Sequence, residues 1–340
     1  MSQHRVASFE FGRIIATIAI IALHSQIFMQ TPLFNGQPLL GMGLNQVSRF
    51  AVPLFFIMAG YFIQPRLTTE RSPYLWRYAR PLLIMWVSWS VIYLVLPFNF
   101  HIVSTEGYLA ERTFYWQKLL TTPLNTLFEG GLVHLWYIPG LLSGLTVITL
   151  LLHFKLARFI IPVATALFIF GLMAGSYAQM TDLSSPIFTR NGPFFSTFMI
   201  MLGFEIRRRD ISISLKYSII LMVIGFSLFI GEANYLSLQE NGSFFHDFLF
   251  GTPLWALGIF FILLAKPNLG DHKITHSLSK DVLGIYLCHL IIVIYYLNIV
   301  RILDINPTIS SIFAVPVVFI VSTMIVRGLR KTPMARFLVR

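Results

Sequence analysis

Charged side chains are scarce in this sequence. Only 11% of its 340 residues are Asp, Glu, Lys or Arg, against roughly 25% in an ordinary soluble domain. So few charges cannot cover the surface of a soluble protein this long, which excludes a soluble enzyme of two or three domains. Cysteine is nearly absent: Cys288 is the only one. No intramolecular disulfide can form, and no cysteine-rich metal site exists. The chain also lacks internal repeats, low-complexity tracts and any Gly-rich nucleotide motif. No cluster of His, Cys, Asp and Glu demands a metal, so neither a metal nor a permanently bound cofactor is expected. Nothing reads as an appended soluble domain, and residues 1–340 are expected to form a single membrane domain.

What is abundant is apolar surface. Hydrophobic residues make up 56% of the chain, and the mean hydropathy is +0.73. Ten stretches are long or apolar enough to suggest membrane spans: 9–29, 44–64, 74–97, 132–153, 156–177, 191–206, 214–232, 247–265, 281–301 and 306–327. A span needs ~20 apolar residues. The expected fold is therefore an all-α, polytopic integral membrane bundle of about ten transmembrane helices. The first stretch could pass for a signal peptide. It carries Glu10, Arg13 and His24 and is followed by nine more, so it is read as retained. Pro53, Pro81, Pro139, Pro253 and Pro316 fall inside spans and are expected to break or kink them. The longest segment outside the spans, 98–131, holds Trp116 with several Phe and Tyr residues. It suits a position partly on the membrane surface.

Lys and Arg number 25 against 14 Asp and Glu. With the N-terminus in the cytoplasm, nineteen of the 25 fall on cytoplasmic ends and loops. Four face the other side (Arg112, Lys118, Arg190 and Arg301), and Arg13 and Arg49 lie within spans. That asymmetry over mostly short loops places both termini in the cytoplasm. It also explains the basic character without a nucleic-acid partner.

Ionisable groups inside a span are costly unless paired or wet, which makes them functional candidates. Arg13 and His24 are eleven residues apart. Eleven steps of about 100° make roughly three turns, so both lie on one helix face about 16 Å apart. Arg13 then sits near the cytoplasmic edge and His24 in the outer half. Glu10, three residues before Arg13, is within pairing reach. A purely structural alternative has Arg13 snorkelling and His24 bonded to a neighbouring helix.

The Arg13-x10-His24 spacing resembles the signature of the acyltransferase 3 family of membrane acyltransferases, which often has Asp where Glu10 stands here. Four further segments resemble the family in the same order. They are Ser48-Arg49-Phe-Ala-Val-Pro53-Leu-Phe-Phe-Ile-Met-Ala59-Gly60-Tyr61, His134-Leu-Trp136-Tyr137, Met201-Leu-Gly203-Phe and Leu283-Gly284-Ile-Tyr286-Leu-Cys-His289. Ala59 replaces the family's usual Ser. By length and motifs the chain is similar to the stand-alone O-acetyltransferases of bacterial surface glycans, including the enterobacterial common antigen type. The resemblance implies a multi-pass protein of the bacterial inner (cytoplasmic) membrane. The implied donor is acetyl-CoA or another acyl-CoA. The implied acceptor is a glycan or lipid-linked saccharide, with membrane lipid around the protein.

The residues fit that chemistry. CoA phosphates need cationic partners, and Arg13, Arg207, Arg208 and Arg209 fall on the cytoplasmic side. The Arg207–Arg209 run also serves topology alone. His24 can act as general base on a sugar hydroxyl, or as a nucleophile through an acyl-histidine. Arg49 could stabilise an oxyanion or hold a glycan phosphate, or simply snorkel at the interface. His134 and His289 are candidates to assist the base, bind the acceptor or support the site. Cys288 reads as packing, and Glu232 and Asp247 as solvated helix ends, either of which could instead orient a base or bind sugar. The rival class is a transporter or a lipid or glycan flippase that uses intramembrane Arg and His. A purely structural membrane subunit ranks third. The acyl group, the sugar and the oligomeric state stay open.

Overall fold

The computed structural model describes residues 6–239 and 242–339. Arg5 and Arg340, two of the cytoplasmic charges counted above, lie outside the described residues. Seventeen α-helices follow one another along the described chain. The first seven are α1 (Ala7–His24), α2 (Leu39–Ser48), α3 (Ala51–Glu70), α4 (Ser72–Val95), α5 (Phe100–Thr105), α6 (Tyr108–Leu120) and α7 (Pro123–Glu129). A 3₁₀ turn, Val133–Trp136, leads into α8 (Tyr137–His153), α9 (Ile160–Met173), α10 (Ala178–Thr181) and α11 (Pro193–Arg209). The rest are α12 (Leu215–Ser237), α13 (Gly251–Ala265), α14 (Lys273–Leu278), α15 (Val282–Ile302), α16 (Pro307–Leu329) and α17 (Ala335–Leu338). Among the described residues there is no strand beyond one isolated bridge, Phe34 with Gln37.

The protein is an all-α polytopic membrane bundle. Seven helical segments are long and apolar enough to cross a membrane, and the apolar helices Ala157–Met173 and Gly251–Ala265 are shorter. Each of the ten expected stretches contains a helix, with shifted ends. α1 stops at His24 rather than continuing to residue 29, because Gln26 and Phe28 take left-handed backbone at φ 47° and 57°. Arg49, expected within a span, is not part of a helix. It sits in the two-residue break between α2 and α3. The proline expectation also needs correction. Pro81 and Pro316 lie inside helices. Pro53, Pro139 and Pro253 are each the third residue of theirs. A first-turn N–H has no intrahelical acceptor, so proline there removes no ladder bond.

The chain forms two compact units, each assembled from three stretches of sequence. The first comprises residues up to Ala16, Arg49–Arg80 and Tyr137–His276. Its α3 and α11 meet backbone to backbone. A Cβ on Gly60 would strike the Ile200 carbonyl, and a Cβ on Gly203 would strike the Ile57 carbonyl. In a membrane such contacts, rather than escape from water, hold helices together. Two of the five motif segments thus serve packing on each other. Phe56 is fully buried and stacks on Tyr137 at 4.8 Å between ring centroids.

The second unit comprises Thr17–Ser48, Pro81–Trp136 and residues from Ser277 onward. Its centre is α15, buried along Val282 to Val293 apart from one partly exposed position, Leu283. Asp281, just before α15, is 1% exposed and is clamped by Arg327 at 2.9 Å and Arg330 at 2.5 Å. The 98–131 segment is not a simple loop. It folds into α5, α6 and α7 and exposes Leu109, Phe114, Leu120 and Leu127, as a membrane-surface segment would. A buried ion pair fixes it in place. The Arg112 guanidinium, fully buried, donates to Glu111 at 2.5 and 2.7 Å and to the Tyr93 carbonyl. The Glu111 carboxylate also accepts the Phe98 and Asn99 N–H groups.

Candidate active site

Three of the histidines singled out in the sequence come together in the second unit. His24 is the last residue of α1, His134 lies in the 3₁₀ turn before α8, and His289 is in the buried half of α15. Their ring centroids are 5.3 Å apart for His24 and His289, 5.1 Å for His134 and His289, and 6.5 Å for His24 and His134. His134 and His289 are buried, and His24 is half-buried.

The hydrogen bonds around them define tautomers. His134 Nε2 lies 3.1 Å from the Leu287 carbonyl, and His289 Nδ1 lies 2.6 Å from the Tyr286 carbonyl. A carbonyl only accepts, so each of these nitrogens carries the hydrogen and donates it. In the neutral ring the other nitrogen then carries a lone pair. His134 Nδ1 and His289 Nε2 are both buried with no hydrogen-bond partner among the described residues. Two tyrosines frame the group. Tyr286 O–H donates to the His134 carbonyl, and Tyr93 O–H donates to the Leu287 carbonyl. Tyr286 and His289 sit three residues apart on α15, so one helix face supplies both. The third and fifth motif segments therefore meet here. Among the described residues no group of three His, Cys, Asp or Glu side chains is arranged to hold a metal ion.

The other candidates lie in the first unit, in separate sets of contacts. Glu10 accepts from His276 Nδ1 at 2.6 Å, and His276 Nε2 donates to Asp271 at 2.7 Å. Both ring nitrogens face carboxylates, an arrangement a doubly protonated imidazole satisfies. Arg13, three residues along α1 from Glu10, is half-buried. Arg49 donates to the His246 carbonyl and lies 3.9 Å from Asp247, which also takes Arg190 at 2.9 Å. Arg207 bonds the Tyr61 hydroxyl at 3.2 Å and covers its ring at 5.2 Å. Arg208 and Arg209 pair with Glu205 at 2.6 and 2.8 Å.

Sequence reasoning missed several of these. Glu205 is a carboxylate inside an expected span, 6% exposed, a signal that was there to read. His276 and Asp271 sit in a connection with no periodic signal, and only the fold brings His276 to Glu10. The reading of Glu232 as a solvated helix end is corrected, while Asp247 is exposed as expected. Glu232 accepts from the Tyr177 hydroxyl and the Gly251 N–H, because the 242–250 connection folds back over the end of α12. Asp247 binds two guanidinium groups.

The family model described as an acyltransferase domain, acyltransferase 3, matches residues 6–327. An amino-acid racemase of Enterococcus faecalis is 25% identical over 356 residues, covering 97% of this chain and 47% of that protein. A serine/alanine racemase of Enterococcus gallinarum is 25% identical over 242 residues, covering 66% of this chain and 32% of that protein. The chain spans less than half the length of these curated relatives. No solved structure matches it. The match over nearly the whole chain makes this protein a member of the acyltransferase 3 family.

Proposed function

We propose that the protein moves an acyl group, acetyl in the first instance, from cytoplasmic acyl-CoA to a hydroxyl of a bacterial surface polysaccharide or its lipid-linked precursor. It works in the inner membrane with both termini in the cytoplasm. The convergence of His24, His134 and His289 carries the reading. A neutral imidazole can take the proton from a sugar hydroxyl as that oxygen attacks the thioester carbonyl, and such a base contributes ~10²–10⁴-fold. His24, half-buried at the end of α1, is the base in this proposal. The bare ring nitrogen of His289 beside it can accept a hydrogen bond from the imidazolium that forms. Arg13 holds the donor's phosphates, for which planar guanidinium is suited, and Arg207 and Arg208 add positive charge. The racemase names belong to the longer relatives, and racemisation is no part of this proposal.

The test is deletion followed by mass spectrometry of surface glycans, with complementation by His24→Ala and His24→Gln at matched protein level. Loss of one acyl mass per acceptor is expected on deletion, and its size identifies the acyl group. Gln keeps a hydrogen-bonding side chain but cannot act as base, so both variants should fail to restore acylation. Full acylation by the Gln variant would make His24 a packing residue. An unchanged glycan together with a transported solute would favour the transporter class instead.

A further inference from the structure

A cavity of about 570 Å³ opens in the second unit, between the turn that follows α1, the C-terminal end of α15 and the start of α16. Its volume is in the ~300–1,000 Å³ range of small-molecule sites. One of its wall residues, Ser25, is the chain neighbour of His24. Ser25 is 4% exposed, and its hydroxyl has no hydrogen-bond partner among the described residues. A buried hydroxyl left that way is costly, and a ligand that bonds it removes the cost. Gln26, Gln30 and Ser311 add amides and a hydroxyl, and Arg301 and Asp304 add one charge of each sign. Met29 and Leu297 provide apolar wall.

The turn is held in shape. The Phe28 N–H donates to Ser311 Oγ at 3.0 Å, so the chain after His24 is tied to α16. Gln26 and Asp304, both lining residues, take left-handed backbone at φ 47° and 49°. Strained conformations of this kind persist where the surroundings enforce them, often at binding sites.

We infer that this cavity binds an uncharged sugar unit of the acceptor. The inference rests on the proposed function and adds where the acceptor sits. Opposed charges cancel in the wall, which disfavours the polyphosphate end of CoA. Amides and hydroxyls beside apolar side chains suit a sugar ring, with its hydroxyl edge and C–H faces. The charge asymmetry of the loops puts Arg301 on the outer side, where surface glycans are exposed.

The test uses the full chain in membranes with Gln30→Cys. Cys288 is the one native cysteine and is buried, so a charged maleimide reports on position 30. The probe is unacylated surface glycan released from cells lacking the protein. At about ten times its dissociation constant it should slow labelling about tenfold. The same protection is expected in the His24→Gln background, which binds without reacting. Adding Asp304→Ala should weaken protection about 3- to 10-fold through the lost hydrogen bond. Normal labelling at saturating glycan overturns the inference, even if the unmutated chain transfers acyl groups. Protection without any acyl transfer by the unmutated chain overturns the proposed function and leaves the cavity assignment standing.

Discussion

His289→Leu separates a packing histidine from a working one. The side chain is fully buried, and Leu is of similar size. Two hydrogen-bonding terms change in the folded protein. The bond from Nδ1–H to the Tyr286 carbonyl is lost, a contribution of ~0.5–1.5 kcal/mol. That carbonyl is in the helix ladder of α15, so it is not left bare. The unpartnered Nε2 also disappears, which removes a desolvation cost of ~1–3 kcal/mol. The sum runs from a loss of ~0.5 to a gain of ~2.5 kcal/mol. The variant should therefore fold and resist heat about as well as the unmutated protein, or better. Its acyl transfer should nonetheless fall ~10²–10⁴-fold if the imidazole serves the proton transfer at His24. The assay pairs thermal unfolding in detergent with transfer of labelled acetyl groups to glycan in membrane vesicles. If the two rings act as a unit, combining His289→Leu with His24→Gln should cost no more than either change alone. A variant that is several kcal/mol less stable would refute the stability argument. A stable variant with undiminished transfer would refute the catalytic one.

Two further outcomes follow from the same reasoning. Arg13→Ala should weaken acyl-CoA binding ~10- to 100-fold, as removal of a charge-assisted bond does, and Arg13→Lys should rescue poorly because an ammonium has no bidentate fork. Unchanged CoA affinity by calorimetry would move the donor site elsewhere. Glu111→Gln should cost ~3–5 kcal/mol at neutral pH by leaving the buried Arg112 charge uncompensated. Burial alone would raise the Glu111 carboxyl, but hydrogen bonds from Arg112, Phe98 and Asn99 outweigh it and hold it below the ordinary 4.5. A depressed folded-state value gives stability that is present above 4.5 and lost as pH falls below it. Melting curves of the unmutated protein and the variant should therefore diverge at pH 7 and converge as the pH falls through the depressed folded-state value. A constant gap across that range would mean that the pair does not titrate with folding.

The sequence by itself determined the class and the element order, because apolar length and loop charge are properties that neighbours hardly alter. Each expected stretch holds a helix, from α1 to α16. It also singled out His24, His134 and His289, since an ionisable group in an apolar span stands out against its background. Helix ends were less legible. α1 stops at His24 because of backbone turns at Gln26 and Phe28 that no local composition announces. Pro53, Pro139 and Pro253 read as kinks until the helix starts were known. Only the tertiary structure decided which distant residues meet. It paired Gly60 with the Ile200 backbone and Gly203 with the Ile57 backbone, and it brought His134 to the Leu287 carbonyl across 153 positions of sequence. It joined His276 to Glu10 across 266 positions. A span pattern records how apolar each helix is, and not which face it turns to which partner. The tautomers of the buried histidines follow from those partners, so they too belonged to the fold rather than to the sequence.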